Sequence, residues 1–336
     1  MAIKRGVSLY SYQQEQFFGR MNWKDMVREV TQVLKADGIE IINQSTIPHY
    51  PFPTEEFIAD WNNELARWGA KAITMDVYLD TMRFRDHVMN YAEAAELLKM
   101  DLRIAKEMGF RNVRCLSAVP LEVIELALPA AEKLDVRIGK EIHSPNPVDG
   151  KLVNDIVNFV DKTGTKHVGL VPDMGIFMKK PPMSALKFCV RSGAHEEAIT
   201  IANECADLPD SSNVFIERVK SEIPDWNEHD MEMSMHLHML SHTDASKLVD
   251  LVPYIVSIHG KFYEMTEIPG KPGQYEDLAF EYEEPIKYLK LGGYEGYINS
   301  EYEGQRNQQD RGIEFLANEV EEVRRQHEML ARLIGE

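Results

Sequence analysis

The sequence predicts a (β/α)₈ TIM barrel, and three observations predict it. Short runs rich in β-branched residues alternate with amphipathic stretches eight times along the 336 residues. The starts of these runs are spaced by roughly 25–40 residues, with one gap near twice that, which is the period of a repeated βα unit. The runs are continuous rather than alternating, as in Ile39-Glu40-Ile41-Ile42 and Val168-Gly169-Leu170-Val171, which suits parallel strands covered on both faces. An open doubly wound sheet needs a glycine-rich phosphate loop after its first strand. Ser8-Leu9-Tyr10-Ser11-Tyr12-Gln13 is not such a loop.

The eight strand runs lie at 4–12, 38–43, 72–79, 112–117, 136–143, 168–177, 254–263 and 294–302. Between the first two, Asn22 is an N-cap for a helix over 22–36, with Met26, Val27, Val30 and Val33 at helical spacing. Thr54-Glu55-Glu56 gives the helix over 54–68 an acidic first turn, matching the helix dipole. Helices over 90–108 and 120–133 follow the same logic, and Asp101, Lys106 and Glu107 read as a solvated face. The last helix, near 312–334, places Phe315, Leu316, Val320, Val323 and Leu330 on one stripe. The long gap, 179–251 between strands six and seven, opens on Lys179-Lys180-Pro181-Pro182 and continues through helical stretches with Pro209 and Pro224. An insertion there sits at the barrel mouth. It reads as a lid or a partner-docking element, or else as a surface helix pair. No domain boundary is visible, so residues 1–336 are expected to form one barrel domain.

Composition excludes several classes. Hydrophobic residues at 44% and charged residues at 27% rule out disorder and low complexity. No apolar run reaches the ~20 residues of a membrane span, and no secretory h-region follows Met1. Cys115, Cys189 and Cys205 make no disulfide framework, so a reduced, cytoplasmic protein is expected. The cysteines have no Cys-x-x-Cys spacing, and there is no Gly-x-Ser-x-Gly elbow, so a thiol or serine nucleophile is not expected. A net charge of −18 repels phosphate backbones, excluding nucleic acid as a general partner. A basic partner subunit, or a cation held among carboxylates, fits better.

Four successive strand ends carry a metal-competent residue: Glu141, Asp173, His259 and Glu301. In a barrel these ends converge on one mouth. Any one of them alone reads as a solvated rim residue, but four in register read as a site. Three crowded carboxylates repel one another, and a divalent cation resolves the conflict. Three oxygen donors with one imidazole favour Mn²⁺ or Mg²⁺, with Co²⁺ an option, over a thiolate-type zinc site. His143 lies two residues past Glu141 and therefore on the same strand face. It is a candidate general base or a histidine bonded to a loop carbonyl. Lys261 and Tyr263 share the face of His259; Lys261 reads as a substrate contact or a structural salt bridge. Glu303 shares the face of Glu301, as an outer neighbour or as the true ligand. Arg306 follows as a candidate substrate contact. The tract from Met231 to His242, rich in methionine and histidine, reads as core filling rather than a copper or zinc site.

With these residues in place, the chain resembles the sugar phosphate isomerase/epimerase superfamily, the xylose-isomerase-like barrels, over nearly its whole length. The resemblance rests on the order Glu141, Asp173, His259, Glu301 and on Gly293-Tyr294-Glu295-Gly296-Tyr297 leading into Glu301-Tyr302-Glu303-Gly304. It implies a divalent metal, usually manganese, and sugar, keto-sugar or inosose-like substrates. Ketose epimerases typically carry a histidine three residues after the strand-six aspartate. Here that residue is Ile176, which speaks against ordinary ketose epimerisation. Lys140-Glu141-Ile142-His143-Ser144-Pro145, Pro172-Asp173-Met174-Gly175-Ile176-Phe177 and His259-Gly260-Lys261-Phe262-Tyr263-Glu264 are closer to the catalytic large subunit of bacterial C-glycoside deglycosidases. That resemblance implies a small β-sandwich partner subunit. It also implies cleavage of the carbon–carbon bond between a 3-oxo-glucosyl group and an aromatic aglycone.

Such a bond has no leaving oxygen to protonate, so a two-carboxylate glycosidase mechanism does not apply. A ketone at C3 acidifies the C2 proton, and elimination then expels the aryl group from C1. On this reading His143 is the base, acting on the sugar or on a phenol, and Glu301 or Glu141 assists. Three alternatives share the barrel: a sugar isomerase, epimerase or inosose dehydratase using the same metal; a non-catalytic scaffold subunit; and an endonuclease-IV-like enzyme. The last needs more zinc-binding histidines and a basic groove.

Overall fold

The computed structural model describes residues 3–336. Apart from a short antiparallel pair over Met265–Glu267 and Tyr275–Asp277, its strands are β1 (Lys4–Ser8), β2 (Gly38–Ile42), β3 (Lys71–Val77), β4 (Asn112–Cys115), β5 (Arg137–Ile142), β6 (Val168–Pro172), β7 (Ile258–Phe262) and β8 (Tyr297–Tyr302). They form one parallel sheet in the order β6-β5-β4-β3-β2-β1-β8-β7. The ring is completed between β6 and β7 by parallel bridges from Leu170 to Ile255 and from Asp173 to His259. The Val256 N–H also donates to the Leu170 carbonyl at 2.9 Å. The eight parallel strands thus close almost fully into a barrel with helices around it. Nearly every strand residue is buried, the outward ones under helices and the inward ones in the lumen. That is why the strand runs lack two-fold alternation.

The helices begin where local capping places them. Asn22 and Asn90 each form a capping box, with Asp25 and Glu93 respectively, and the Thr54 side chain accepts from the Phe57 N–H. These caps satisfy amides that the helix itself leaves unbonded. Two stripes differ from expectation. After Trp23–Arg28 the helix widens into a π-turn over Glu29–Val33. The extra residue rotates the face, so Met26, Val27 and Val30 are buried while Val33 is half exposed. The last helix spans Glu319–Ile334 and starts behind an Asn318 cap. Phe315 lies before it, in a short turn over Ile313–Phe315, and is exposed.

A third correction concerns Asp101. It is fully buried rather than solvated, and accepts from Tyr50 Oη at 2.8 Å and Asn43 Nδ2 at 3.2 Å. Burial raises its pKa to about 6.

The segment between β6 and β7 holds, besides short single turns, four longer helices, Met183–Ser192, Glu196–Cys205, Ser211–Glu222 and Glu228–His238. They pack on one another through Leu186, Ile201, Phe215, Val219, Met233 and Leu237. Met231-to-His242 belongs to this packing: Met233 and Leu237 are buried and Met235 is exposed. No helix among the described residues is long and apolar enough to cross a membrane.

Candidate active site

The period of two in a strand decides what enters the lumen. On β8 it sends Asn299 and Glu301 inward, with Glu303 following; on β7 it sends His259 and Lys261, with Tyr263 following. β5 contributes Glu141, then His143 just beyond its end, and Asp173 follows β6. Glu141, Asp173, His259, Lys261, Glu301 and Glu303 are all buried. Donor atoms of Glu141, Asp173 and His259 lie within 4.8 Å of one another. Glu301 Oε2 is 3.3 Å from His259 Nδ1, and Glu141 Oε1 is 3.6 Å from it. The four residues read from the strand ends therefore gather around one side of the His259 ring.

Three further side chains belong to the cluster and were not singled out from the sequence: Glu40, Asp76 and Arg114. Each is a charge inside an otherwise apolar strand core, the one signal that the sequence offers for it. Glu40 Oε1 stands 3.1 Å from His259 Nε2, and Asp76 Oδ1 stands 3.7 Å from it. A carboxylate on the far nitrogen of a metal-binding histidine orients the ring toward the ion. Asn299 Nδ2 donates to Glu40 Oε2 at 2.8 Å, fixing that carboxylate.

The electrostatics are strongly coupled. Six buried carboxylates, Glu40, Asp76, Glu141, Asp173, Glu301 and Glu303, face Arg114, Lys261 and His259. Burial works against a charged His259 ring. Glu40, opposed by Arg114 and joined by Glu301 and Asp76, outweighs it and holds the pKa well above the usual imidazole value. Burial pushes Glu301 up, but His259, Lys261 and Arg114 hold it well below the carboxylate range. Burial would also lower Lys261, yet Asp173, Glu303 and Glu301 keep it well above its ordinary value.

The residues fit a divalent cation in donor type and reach. Oδ2 of Asp173 and Oε2 of Glu301 are buried with charged neighbours but have no aligned hydrogen-bond donor among the described residues. Both groups of three metal-competent side chains found among those residues include His259, and neither draws on the Met231-to-His242 tract.

His143 sits beside this cluster. Its Nδ1 lies 2.7 Å from the Ser144 carbonyl, which only accepts, so Nδ1 carries the proton. Nε2 is left with its lone pair and receives Lys261 Nζ at 2.9 Å. Lys261 also touches Asp173 at 2.9 Å. Tyr263 Oη reaches Glu303 at 3.4 Å, while Arg306 pairs with Glu303 at 2.7 Å and donates to Tyr10 Oη at 2.7 Å. Arg306 is thus at the exposed rim, not in the buried cluster.

A small cleft, with a cavity volume of about 60 Å³, opens next to His143 and Lys261. Its other walls come from Met178, Pro182, Ala185, His236, Met239 and Phe280. Four of these, Pro182, Ala185, His236 and Met239, belong to the insertion. The three cysteines lie apart from this cleft and are buried. Burial pushes the Cys115 thiol up to about 12 and Cys189 up to about 11, so neither is a thiolate at neutral pH.

No family model matches the chain. Two curated relatives match it almost end to end. One is a 3'-dehydrocarminate deglycosidase alpha subunit from a Microbacterium species, 27% identical over 350 residues, covering 100% of this chain and 97% of the relative. The other is a C-glycoside deglycosidase alpha subunit from Arthrobacter globiformis, 24% identical over 344 residues, covering 99% and 93%. Among solved structures, a sugar phosphate isomerase/epimerase from Parabacteroides distasonis superposes with a TM-score of 0.55 at 12% identity, covering 100% of this chain and 95% of that one. The zinc-bound IOLI protein superposes at 0.56 with 13% identity, covering 99% and 98%. By sequence the chain is similar, over nearly all of its residues, to C-glycoside deglycosidase alpha subunits, and by fold it shares the barrel of sugar isomerases and epimerases.

Proposed function

We propose that this chain is the catalytic subunit of a metal-dependent C-glycoside deglycosidase. It cleaves the bond between C1 of a 3-oxo-glucosyl group and an aromatic, flavonoid-type aglycone. The observation that supports this best is His143: a base with a fixed tautomer stands between the Glu141–Asp173–His259 donors and a partly apolar cleft. The full-length likeness to alpha subunits of deglycosidases supports the same reading, and with it a partner subunit, proposed to be a small β-sandwich.

Glu141, Asp173, His259 and Glu301 would hold the metal, and the oxygen-rich set favours Mn²⁺, with Mg²⁺ or Co²⁺ as alternatives. A divalent cation there supplies Lewis acidity toward the 3-oxo and 2-hydroxyl oxygens. Once Lys261 Nζ turns from Nε2 to a sugar oxygen, His143 Nε2 takes the C2 proton, or a phenol proton of the aglycone. The C1–aryl bond breaks as the C1–C2 double bond forms, and the released ring carbon gains a proton. Glu301 or Glu141 assists that transfer. Lys261, touching both His143 and Asp173, aligns the base with the donors and, with Tyr263, Glu303 and Arg306, contacts the sugar. The insertion acts as a lid whose inner face receives the aglycone.

The test is aglycone release from a 3-oxo C-glucosyl flavonoid by the protein co-expressed with its partner subunit. Release is expected with Mn²⁺ and lost on chelation. His143→Ala is expected to cost ~100-fold or more with metal content unchanged; unchanged turnover would remove His143 from the mechanism. The barrel's likeness to epimerases supports a second reading, a metal-dependent sugar isomerase, epimerase or inosose dehydratase. Proton exchange on a free keto-sugar, with no aglycone released, would favour it.

A further inference from the structure

Arg114 is the feature of the mouth that the proposed chemistry does not use. It projects from β4, is 3% exposed, and lies among the proposed ligands. Its Nη2 is 3.1 Å from His259 Nδ1, 3.4 Å from Glu141 Oε1 and 3.5 Å from Glu301 Oε1. Its Nε is 3.3 Å from Asp76 Oδ1 and 3.4 Å from His259 Nε2. Nη1 is buried and has no hydrogen-bond partner among the described residues. One guanidinium therefore touches three of the four side chains assigned to the metal, through contacts longer than a good ionic hydrogen bond of about 2.7–2.9 Å.

We propose that Arg114 is a built-in counter-ion that competes with the divalent cation for the carboxylates of Glu141 and Glu301. The inference rests on the metal reading above and adds that occupancy of the site is set by exchange between two cations. Physically, each positive charge relieves the same carboxylate repulsion, so placing both there pays cation–cation repulsion in a poorly screened interior. Arg114 keeps the carboxylate cluster tolerable when the ion leaves. The cost is a lower affinity for the ion.

The two roles predict opposite signs. A merely structural arginine, once removed, loosens the site and weakens metal binding. A competing counter-ion, once removed, tightens it. Mn²⁺ affinity of the purified, chelator-stripped chain is measured for wild type, Arg114→Gln and Arg114→Lys, alongside thermal unfolding with and without Mn²⁺. Arg114→Gln is expected to bind Mn²⁺ at least about tenfold more tightly, to melt lower without metal, and to regain the loss when Mn²⁺ is added. Arg114→Lys, with a shorter reach and a single nitrogen, is expected to show a smaller gain, and it decides the question should the glutamine variant fail to fold. Arg5→Gln removes the same charge from a buried arginine that pairs with Glu336 instead, and is expected to leave Mn²⁺ affinity unchanged. Wild type that binds Mn²⁺ with an Arg114→Gln variant that binds no tighter overturns this inference alone. No binding by either protein overturns the metal reading and this inference with it.

Discussion

Lys261 shows how a single side chain holds the mouth together. Its ammonium lies 2.9 Å from Asp173, 3.6 Å from Glu301 and 3.6 Å from Glu303, and it is almost fully buried. Lys261→Met keeps the length of the stem but leaves Asp173 without its nearest cation and takes a positive charge from beside Glu301 and Glu303. Breaking a buried charge network from one side costs about 3–5 kcal/mol. That loss is expected in urea unfolding of the chelated protein, with part of it recovered on adding Mn²⁺. Loss of less than about 1 kcal/mol would mean that water already screens this cluster.

Among the elements, the insertion stands on a single buried carboxylate. Asp230 accepts from the His195 N–H at 2.7 Å, from His195 Nδ1 at 2.9 Å and from the Asn227 N–H at 2.8 Å. It thereby caps Glu228–His238 and ties that helix to the start of Glu196–Cys205. Asp230→Asn keeps the shape but turns one acceptor oxygen into a donor facing donors. Losing charge-assisted bonds of this kind costs about 1.5–3 kcal/mol. The penalty is expected to fall on the insertion: its helices exchange amide hydrogens faster while β1–β8 keep their protection. Equal acceleration everywhere would mean that insertion and barrel unfold as one unit. Nearer the mouth, Gly304 follows β8 closely enough that a Cβ would sit 1.9 Å from the Tyr263 carbonyl, so any side chain there displaces a wall of the cleft.

Across the whole molecule, buried acids dominate the response to alkaline pH. Burial raises Glu322 to about 7 and Glu319 to about 8. The folded chain therefore holds protons that the unfolded chain, with ordinary carboxylates, has already released. A raised His259, and a raised His195 held by Asp230, work in the same direction. Protonated when folded, they contribute stability that is complete below the unfolded histidine value and fades as pH climbs through the folded one. His327 is opposite: burial, with Arg5 beside it, lowers it to about 3, so it favours folding as pH rises toward ~6.5 and adds nothing above that. The urea midpoint of the metal-free protein is expected to fall steadily from about pH 6.5 to 8.5. A flat or rising midpoint in that window would show that these acids ionise without cost.

Local sequence by itself determined the strands, the order of the barrel and the capped helix starts, because strand period, apolar continuity and caps are read from neighbours along the chain. It also nominated Glu141, Asp173, His259 and Glu301, since residues ending successive parallel strands of a closed ring must point to one mouth. Tertiary structure alone decided the rest. Asp101 looked solvated because its partners Asn43 and Tyr50 come from a different βα unit. Glu40, Asp76 and Arg114 passed as strand filler because a charge inside an apolar run gains meaning only when ring closure sets it against His259. The tautomer of His143 depends on a carbonyl one residue away and an ammonium 118 residues away, held at 2.7 and 2.9 Å. The contact with Lys261 exists only once the barrel is closed.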